Sequence, residues 1–228
     1  SGTLVLNNTI VRDNTALSGG GLYQGGGTIT LNNSTVSGNS SIMAVGGGIF
    51  QVTGAVNVYN SILADNGSGG DCQGSVSAFY SVSEDGSCGI SGTPASPDGN
   101  GNFTGDPGID PITLMPQSGS VVIDRGNPAG VGGGGTTCLA ADKAGTARPL
   151  DGDGNAVARC DIGAFEAPEL VINVTLSGFA FLNEGDILSI TIARNVATAM
   201  PLTVNLTQAP IADLNATDYT FTDPSNNP

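Results

Sequence analysis

The sequence predicts an all-β chain in which a parallel β-helix is followed by part of a β-sandwich. Three observations indicate this fold class: a sequence repeat that occurs three times near the N-terminus, an alternation of apolar and polar residues with period two, and a change to longer alternating strands after Pro168. Many short strands without helical patterns are typical of all-β folds. We therefore expect one domain over residues 1–167 and a second domain over residues 168–228.

The repeat defines the first domain. Residues 2–11, 27–36 and 54–63 have nearly the same sequence. A period of this length means that each unit buries its apolar face only by stacking on its neighbours. Apolar residues such as Ile29 and Leu31 alternate with polar ones, which is strand periodicity, and no helical spacing occurs over residues 1–70. The pattern predicts a solenoid of short β-coils.

Two sets of asparagines keep the same register in the repeat. The first set is Asn8, Asn33 and Asn60, and the second is Asn14, Asn39 and Asn66. Equivalent residues of successive coils lie about 4.8 Å apart, so their side chains can hydrogen-bond along the stack. Asparagine also tolerates the left-handed backbone of tight corners. Each set therefore predicts either a ladder of side-chain hydrogen bonds or a column of turn residues.

Glycine runs also repeat, at residues 19–21 and 46–48. Their spacing does not match a phosphate-binding loop, and neither a lysine nor a helical pattern follows them. We interpret them as coil corners that need a positive φ.

Composition excludes some classes of function. The chain has a net charge of −14, six Lys and Arg residues and no His, so it cannot assemble a basic patch for nucleic acid. No apolar run approaches the roughly 20 residues that span a membrane. An anionic surface poor in lysine fits an extracellular setting, although it also promotes solubility anywhere.

Four cysteines indicate an oxidising compartment. Their even number and their arrangement as two pairs that are close in sequence predict two disulfides, Cys72–Cys88 and Cys138–Cys160. Disulfides of this kind are typical of exported proteins. Because the sequence opens inside a repeat and shows no export signal, we expect these residues to be a fragment of a longer exported protein.

The repeat becomes irregular after about residue 90. Residues 91–111 have a loop composition, residues 120–124 are predicted to form a strand, and residues 129–160 are predicted to form a long irregular excursion. Residues 161–166 are predicted to form a last coil strand or a cap.

The closing segment of the first domain resembles a known family. The repeat "GTITLNNSTVSGN" with "GGGIF" looks like bacterial surface β-helix proteins. The segments "VVIDRGNPAG" and "CLAADKAGTARPLDGDGNAVARCDIGAFE" are similar to the end of the choice-of-anchor Q domain of large exported bacterial proteins. This resemblance covers residues 1 to about 166. It implies a right-handed parallel β-helix and a place at, or release from, the cell surface, with no settled biochemical activity.

Residues 170–222 resemble a Calx-β domain, an immunoglobulin-like sandwich, around "FLNEGDILSITIAR" and "NATDYTF". The chain stops at Pro228, after about half of such a domain. We expect the missing strands either to lie beyond the sequence or to be added by another chain.

Two groups of oxygen ligands are candidates for Ca²⁺. Asp151, Asp153 and Asn155 follow one another at every second position with a glycine between each pair, which suits either a calcium loop or a polar glycine turn. A second group, expected in the sandwich domain, consists of Glu184, Asp186 and Asp218.

These observations favour a structural or adhesive module of an exported bacterial surface protein. Such a module would bind surface glycans or associate with itself, end to end or by strand addition, to form a fibre. The alternative is a polysaccharide lyase or hydrolase whose active site lies mostly outside these residues. Within residues 1–90 the only basic residue is Arg12, and Asp13 and Asp65 are not expected to be equivalent positions.

Overall fold

The computed structural model describes residues 2–177 and 189–194, and over these residues it contains β-strands and no helix. The strands are β1 (Thr3–Asn7), β2 (Ile10–Arg12), β3 (Thr15–Ala16), β4 (Leu22–Asn32), β5 (Thr35–Ser37), β6 (Ser40–Ser41), β7 (Ile49–Tyr59), β8 (Ile62–Ala64), β9 (Cys72–Gln73), β10 (Ser77–Phe79), β11 (Val82–Ser83), β12 (Gly92–Thr93), β13 (Ser96–Pro97), β14 (Phe103–Thr104), β15 (Val131–Gly132), β16 (Cys138–Leu139), β17 (Ile172–Ser177) and β18 (Ser189–Arg194). No described helix has the length and hydrophobicity of a membrane span.

Two stacks of parallel strands form the solenoid. The first stack, which we call sheet A, has the order β1-β4-β7-β10 with β9 also beside β7, and the second, sheet B, has the order β14-β11-β8-β5-β2. The register pairs equivalent residues of successive repeats, such as Leu6 with Leu31 and Leu31 with Val58. The predicted β-solenoid is confirmed, with about four turns.

An apolar core runs along the inside of the coils. Alternate side chains of sheet A, such as Leu31 and Val58, meet alternate side chains of sheet B, such as Val36 and Leu63, and all four are fully buried. Burying a side chain of this size contributes about 1.5–3 kcal/mol. The alternation of apolar and polar residues in the repeat therefore arises because every second side chain of these strands faces this core.

The second asparagine set forms a ladder. Asn14 Nδ2 donates to Asn39 Oδ1 at 3.0 Å, and Asn39 Nδ2 donates to Asn66 Oδ1 at 3.0 Å. The amide of Asn39 also satisfies the carbonyls of Val11 and Ser37. A buried backbone group that loses its partner costs about 1–3 kcal/mol, so this ladder replaces sheet hydrogen bonds at the corner.

The first asparagine set does not form a ladder. Asn8, Asn33 and Asn60 have left-handed φ values of 43–48°, as expected for corner residues. Their side chains, however, bond the backbone of a distant segment: Asn8 Nδ2 donates to the carbonyl of Ala141, and Asn33 Oδ1 accepts the N–H of Leu139. The prediction of a ladder is wrong here because residues 127–141 lie beside this corner and supply backbone partners.

Instead, a hydroxyl ladder that the sequence analysis missed follows the same corner. The N–H of Thr9 donates to Ser34 Oγ, that of Ser34 to Ser61 Oγ, and that of Ser61 to Ser81 Oγ, at 3.0–3.1 Å. The hydroxyl of each serine donates in turn to a carbonyl of its own coil two residues back.

The glycine runs have two roles. Gly19 and Gly46 have φ values of 61° and 56°, as the corner interpretation requires. Gly20 is needed for a different reason, since a Cβ there would lie 2.3 Å from the carbonyl oxygen of Ser40 in the next coil.

Residues 105–167, which we call the strap, turn back along the solenoid after β14. The strap covers the outer face of sheet B and builds a second apolar core there. In this core Ile62, Val82 and Phe103 of the sheet pack with Ile109, Val122 and Ile162 of the strap. Gly163 has a φ of 108°, and a Cβ at this position would lie 2.6 Å from Ile62 Cδ1.

The strap differs from the sequence prediction. Residues 120–124 contain no strand and turn at 121–124, and residues 161–166 contain no strand either. Both stretches are apolar because they pack on the outer face of sheet B. Their sequence pattern therefore resembles that of a strand that belongs to the sheet.

Both predicted disulfides are present. Cys72 and Cys88 join two successive coils with a Cα–Cα distance of 4.8 Å, and Cys138 and Cys160 join two parts of the strap at 6.5 Å.

Beyond the strap, β17 and β18 form an antiparallel pair that aligns Ile172 with Arg194 and Ser177 with Ser189. The remaining strands predicted for the sandwich lie outside the described residues. The boundary at residue 168 stays a prediction.

Candidate metal centre and the buried carboxylates

One acidic group in the strap could hold a metal ion. Asp124, Asp151 and Asp153 each offer a carboxylate oxygen, and these oxygens lie within 4.8 Å of one another. Two of the three residues belong to the loop that the sequence analysis singled out. Asp124 was missed because it lies far before Asp151 in the sequence and no spacing pattern connects the two.

The loop that carries Asp151 is a series of side-chain turns. Asp151 Oδ1 accepts the N–H groups of Gly154 and Asn155 at 2.7 and 3.1 Å, and Asp151 Oδ2 accepts the N–H of Ala156. Asn155 Oδ1, the third predicted ligand, accepts the N–H of Val157. The loop thus has the hydrogen bonding of a polar glycine turn, and Asp124 takes the place expected for Asn155 in the acidic group.

Asp124 fixes this loop to the strap. Its Oδ2 accepts the N–H groups of Gly152 and Asp153 at 3.0 Å, and its Oδ1 accepts the N–H of Arg159. Burial raises the pKa of Asp124, and the charges of Asp153 and Asp151 act in the same direction. The three carboxylates are hard oxygen donors of the kind that Ca²⁺ or Mg²⁺ prefers. A bound cation would offset the repulsion that now raises this pKa.

The second predicted calcium group, Glu184, Asp186 and Asp218, lies outside the described residues.

Further buried carboxylates serve as acceptors for backbone N–H groups of the strap. Asp142 accepts the N–H groups of Ala144, Thr146 and Glu166. Asp161 accepts the N–H groups of Asp124 and Ala167. These N–H groups have no sheet partner, so the carboxylates satisfy donors that would otherwise be buried and unpaired.

Arg148 ties these carboxylates to the first coil of the solenoid, which is the coil that contains β1, β2 and β3. Its Nε donates to Glu166 Oε2 at 2.8 Å, one of its terminal nitrogens donates to the carbonyl of Gly163, and the other donates to Asn8 Oδ1 at 3.2 Å. The side chains of Arg148 and Glu166 are both fully buried. Removing one partner of such a pair leaves an uncompensated buried charge and is strongly destabilising.

Asp161 and Glu166 form a carboxylate pair that does not face solvent. They are 1% and 2% exposed. Burial, together with the charge of Glu166, raises the pKa of Asp161 well above its usual value. Burial also raises the pKa of Glu166, against the opposing effects of the Asp161 N–H and Arg148. The pair resembles the acid–base pairs of hydrolases in composition, but here its oxygens hold backbone N–H groups.

Another buried carboxylate, that of Asp71, ends the asparagine ladder. Asn66 Nδ2 donates to Asp71 Oδ1 at 2.9 Å, and Asp71 Oδ2 accepts Ser83 Oγ at 3.0 Å and the N–H of Asp85 at 3.3 Å. Asp71 is buried, and this burial raises its pKa to about 7, with a further contribution from the charge of Asp85. The ladder therefore ends on a group that titrates near neutral pH.

Asp13 and Asp65 are equivalent positions, contrary to expectation. The register places Arg12 beside Ser37 and Ser37 beside Ala64, so Asp13, Gly38 and Asp65 follow in one column. Each of them directly precedes a ladder asparagine, which the sequence comparison overlooked. Gly38 belongs to the coil between them, so the two carboxylates lie two coils apart.

Comparison with known proteins gives no relative. No protein-family model, no curated protein and no solved structure matches this chain.

Asp71 makes the stability of the solenoid depend on pH. Its pKa is higher in the folded state than the ordinary 3.8, so the unfolded chain loses its proton first and stability falls as pH rises from about 4 to about 7. The rise in pKa corresponds to at most about 4 kcal/mol. We predict that Asp71→Asn flattens this part of the pH profile in urea unfolding between pH 5 and pH 8.

The matched control is Asp13→Asn, which removes the same charge from an exposed side chain. It should leave the slope of the profile as in the wild type. Parallel profiles for wild type and Asp71→Asn would contradict the role assigned to Asp71.

Proposed function

We propose that this chain is a structural and adhesive module of a large exported bacterial surface protein. The observation that carries the proposal is that these charged side chains of the strap are buried in structural contacts. Asp142, Asp161, Glu166 and Arg148 are all buried and all hold the strap to itself or to the first coil. Charged groups of this kind stabilise a stiff rod and are not available to act on a solute.

Export is supported by the cysteines. Two disulfides fit an oxidising compartment. The resemblance of the closing segment, which forms much of the strap, to the choice-of-anchor Q domain supports attachment at, or release from, the bacterial surface and a right-handed coil. The resemblance of the C-terminal part to a Calx-β domain supports a second, sandwich module.

The outer face of sheet A, which is partly exposed, is the surface proposed for adhesion. It carries two aromatic pairs: Tyr23 and Phe50 meet edge to face at 5.6 Å, and Tyr59 and Phe79 stack at 5.8 Å. Asn57 Nδ2 lies beside Thr30 Oγ1 on the same face. Aromatic rings with neighbouring amides and hydroxyls offer the mixed apolar and polar contacts that surface glycans require.

Calcium is the metal proposed for Asp124, Asp151 and Asp153. Ca²⁺ takes six to eight oxygen ligands in flexible geometry, so carboxylates that already accept N–H groups can still contribute their remaining lone pairs. The proposed role is to stiffen the loop at residues 151–157, and the adhesive role does not depend on it.

The adhesive proposal predicts binding without turnover. The full chain should bind members of a panel of bacterial and host surface polysaccharides in a glycan array. Tyr59→Ala should weaken that binding about tenfold or more because it removes one ring of the stacked pair, whereas Leu17→Ala, at an exposed position away from sheet A, should not. New reducing ends or unsaturated products in the same incubations would overturn the proposal in favour of a polysaccharide hydrolase or lyase.

Calcium binding predicts a change in thermal stability. A free Ca²⁺ concentration of about 100 times the Kd should raise the free energy of unfolding by roughly 2.7 kcal/mol relative to a chelator-treated sample. Asp153→Asn should lose most of this gain, and Asp106→Asn, an exposed residue outside the group, should keep it. Equal stability with Ca²⁺ and with chelator would exclude a calcium site here.

A further inference from the structure

Sheet A consists of uncharged residues although the chain is strongly acidic. The net charge of the chain is −14, yet every residue of strands β1, β4, β7, β9 and β10 is uncharged. Side chains that alternate with the core residues Leu31, Val58 and Ala78 point outward, so the outer face of this sheet carries no charge of its own. Protein surfaces usually carry Lys, Arg, Asp and Glu, and this face therefore differs from the rest of the molecule.

One outward row of this face carries the stacked aromatic pair. The register places Asn32 beside Tyr59 and Tyr59 beside Phe79. The rings of Tyr59 and Phe79 are 5.8 Å apart with an angle of 25° between their planes, and both residues are partly exposed. Thr30 and Asn57 lie two positions earlier in their strands and add a hydroxyl and an amide beside the rings. The row thus offers a flat apolar surface with uncharged hydrogen-bonding groups along one side.

The strap bounds this row at one end. A glycine-rich loop of the strap, residues 131–137, lies against Asn32, and the N–H of Gly135 donates to Asn32 Oδ1 at 2.8 Å. Asn60, which directly follows the tyrosine of the pair, donates from Nδ2 to the carbonyl of Thr137 at 3.3 Å. Asn32 is 5% exposed, whereas the two rings beyond it remain partly exposed. The loop is also uncharged, so backbone groups and not an ion border the aromatic pair on this side.

At the other end of the row the neighbouring charge is negative. Asn102 Nδ2 donates both to the carbonyl of Ala78, in β10, and to Asp98 Oδ2. Asp98 Oδ1 accepts the N–H groups of Asn100 and Asn102. An anionic ligand on the row would meet this carboxylate and the field of the whole chain, and the strands of sheet A offer it no cation.

We propose that the row of Tyr59 and Phe79 binds uncharged glycans and excludes glycans that carry carboxylate, sulfate or phosphate groups. This inference rests on the adhesive role proposed above and names the class of glycan that the role concerns. A sugar ring presents an apolar face of C–H groups, which packs on an aromatic ring, and hydroxyls that Asn57 and Thr30 can bond. A carboxylate that loses its water on this face gains no cation in return, and its burial is costly.

The test compares glycans that share a linkage and differ in charge. Hexamers of β-1,4-linked mannose and glucose are titrated into the full chain by calorimetry, beside the β-1,4-linked hexamers of mannuronate and glucuronate, at about 25 mM and about 500 mM NaCl. We expect at least one neutral hexamer to bind at least about tenfold more tightly than its uronate counterpart at low salt. Its Kd should change less than about twofold between the two salt concentrations, because the contact involves no charge.

Matched variants place one lysine on or off the face. Asn57→Lys adds a cation beside Tyr59 and should bring the affinity for the uronate hexamer to within about threefold of that for the neutral hexamer at low salt. Leu17→Lys changes the net charge equally at a position that is 65% exposed and lies outside sheet A. It should leave the ratio of the two affinities as in the wild type.

The outcomes separate this inference from the adhesive role. Equal or tighter binding of the uronate hexamers by the wild-type chain, a comparison that needs no substitution, would overturn the selectivity and leave the adhesive role standing. Neutral binding that Tyr59→Ala does not weaken would have the same consequence, since the site would then lie elsewhere. Binding of neither class of hexamer would overturn both the selectivity and the adhesive role.

Discussion

The structure depends on how the strap satisfies its backbone. A segment that covers an apolar surface buries its own N–H and C=O groups, and each of them needs a partner. The solenoid solves this with parallel strands, but the strap contains few strands. Its N–H groups are accepted instead by carboxylates such as Asp142, Asp161 and Glu166, and by the corner asparagines Asn33 and Asn60.

This solution explains why the strap contains buried charge. Carboxylates are rarely buried unless they are paired or hydrogen-bonded. Each oxygen of Asp161 and Glu166 accepts at least one N–H, and a single guanidinium, that of Arg148, offsets part of the charge. The cost remains visible in the raised pKa of Asp161. The strap and the coils therefore form one unit, in which the same residues hold the loop, the second core and the first coil together.

The sequence predicts the repeating part well because its contacts recur at a fixed offset. Residues such as Asn14, Asn39 and Asn66 are neighbours whenever coils stack, so the period predicts that they lie close together, and the short cysteine spacings predict the disulfides. The strap contacts are of another kind. Arg148 meets Asn8, and Leu139 meets Asn33, between parts of the chain that are far apart in sequence and have no period to relate them. One local signal was available: Ile62, Val82 and Phe103 are apolar at outward positions of sheet B, which indicates that something covers them.

The most direct test of this account is native-state hydrogen exchange of the strap. The N–H groups of Leu139, Asp161 and Ala167 donate to side-chain acceptors, whereas Val36 and Leu63 lie in sheet B. If the carboxylates and asparagines make the strap part of the solenoid, both groups will exchange with the same free energy of opening, within about 1 kcal/mol. If the strap amides open about 3 kcal/mol or more below those of sheet B, the strap is a separable cover and the account is contradicted.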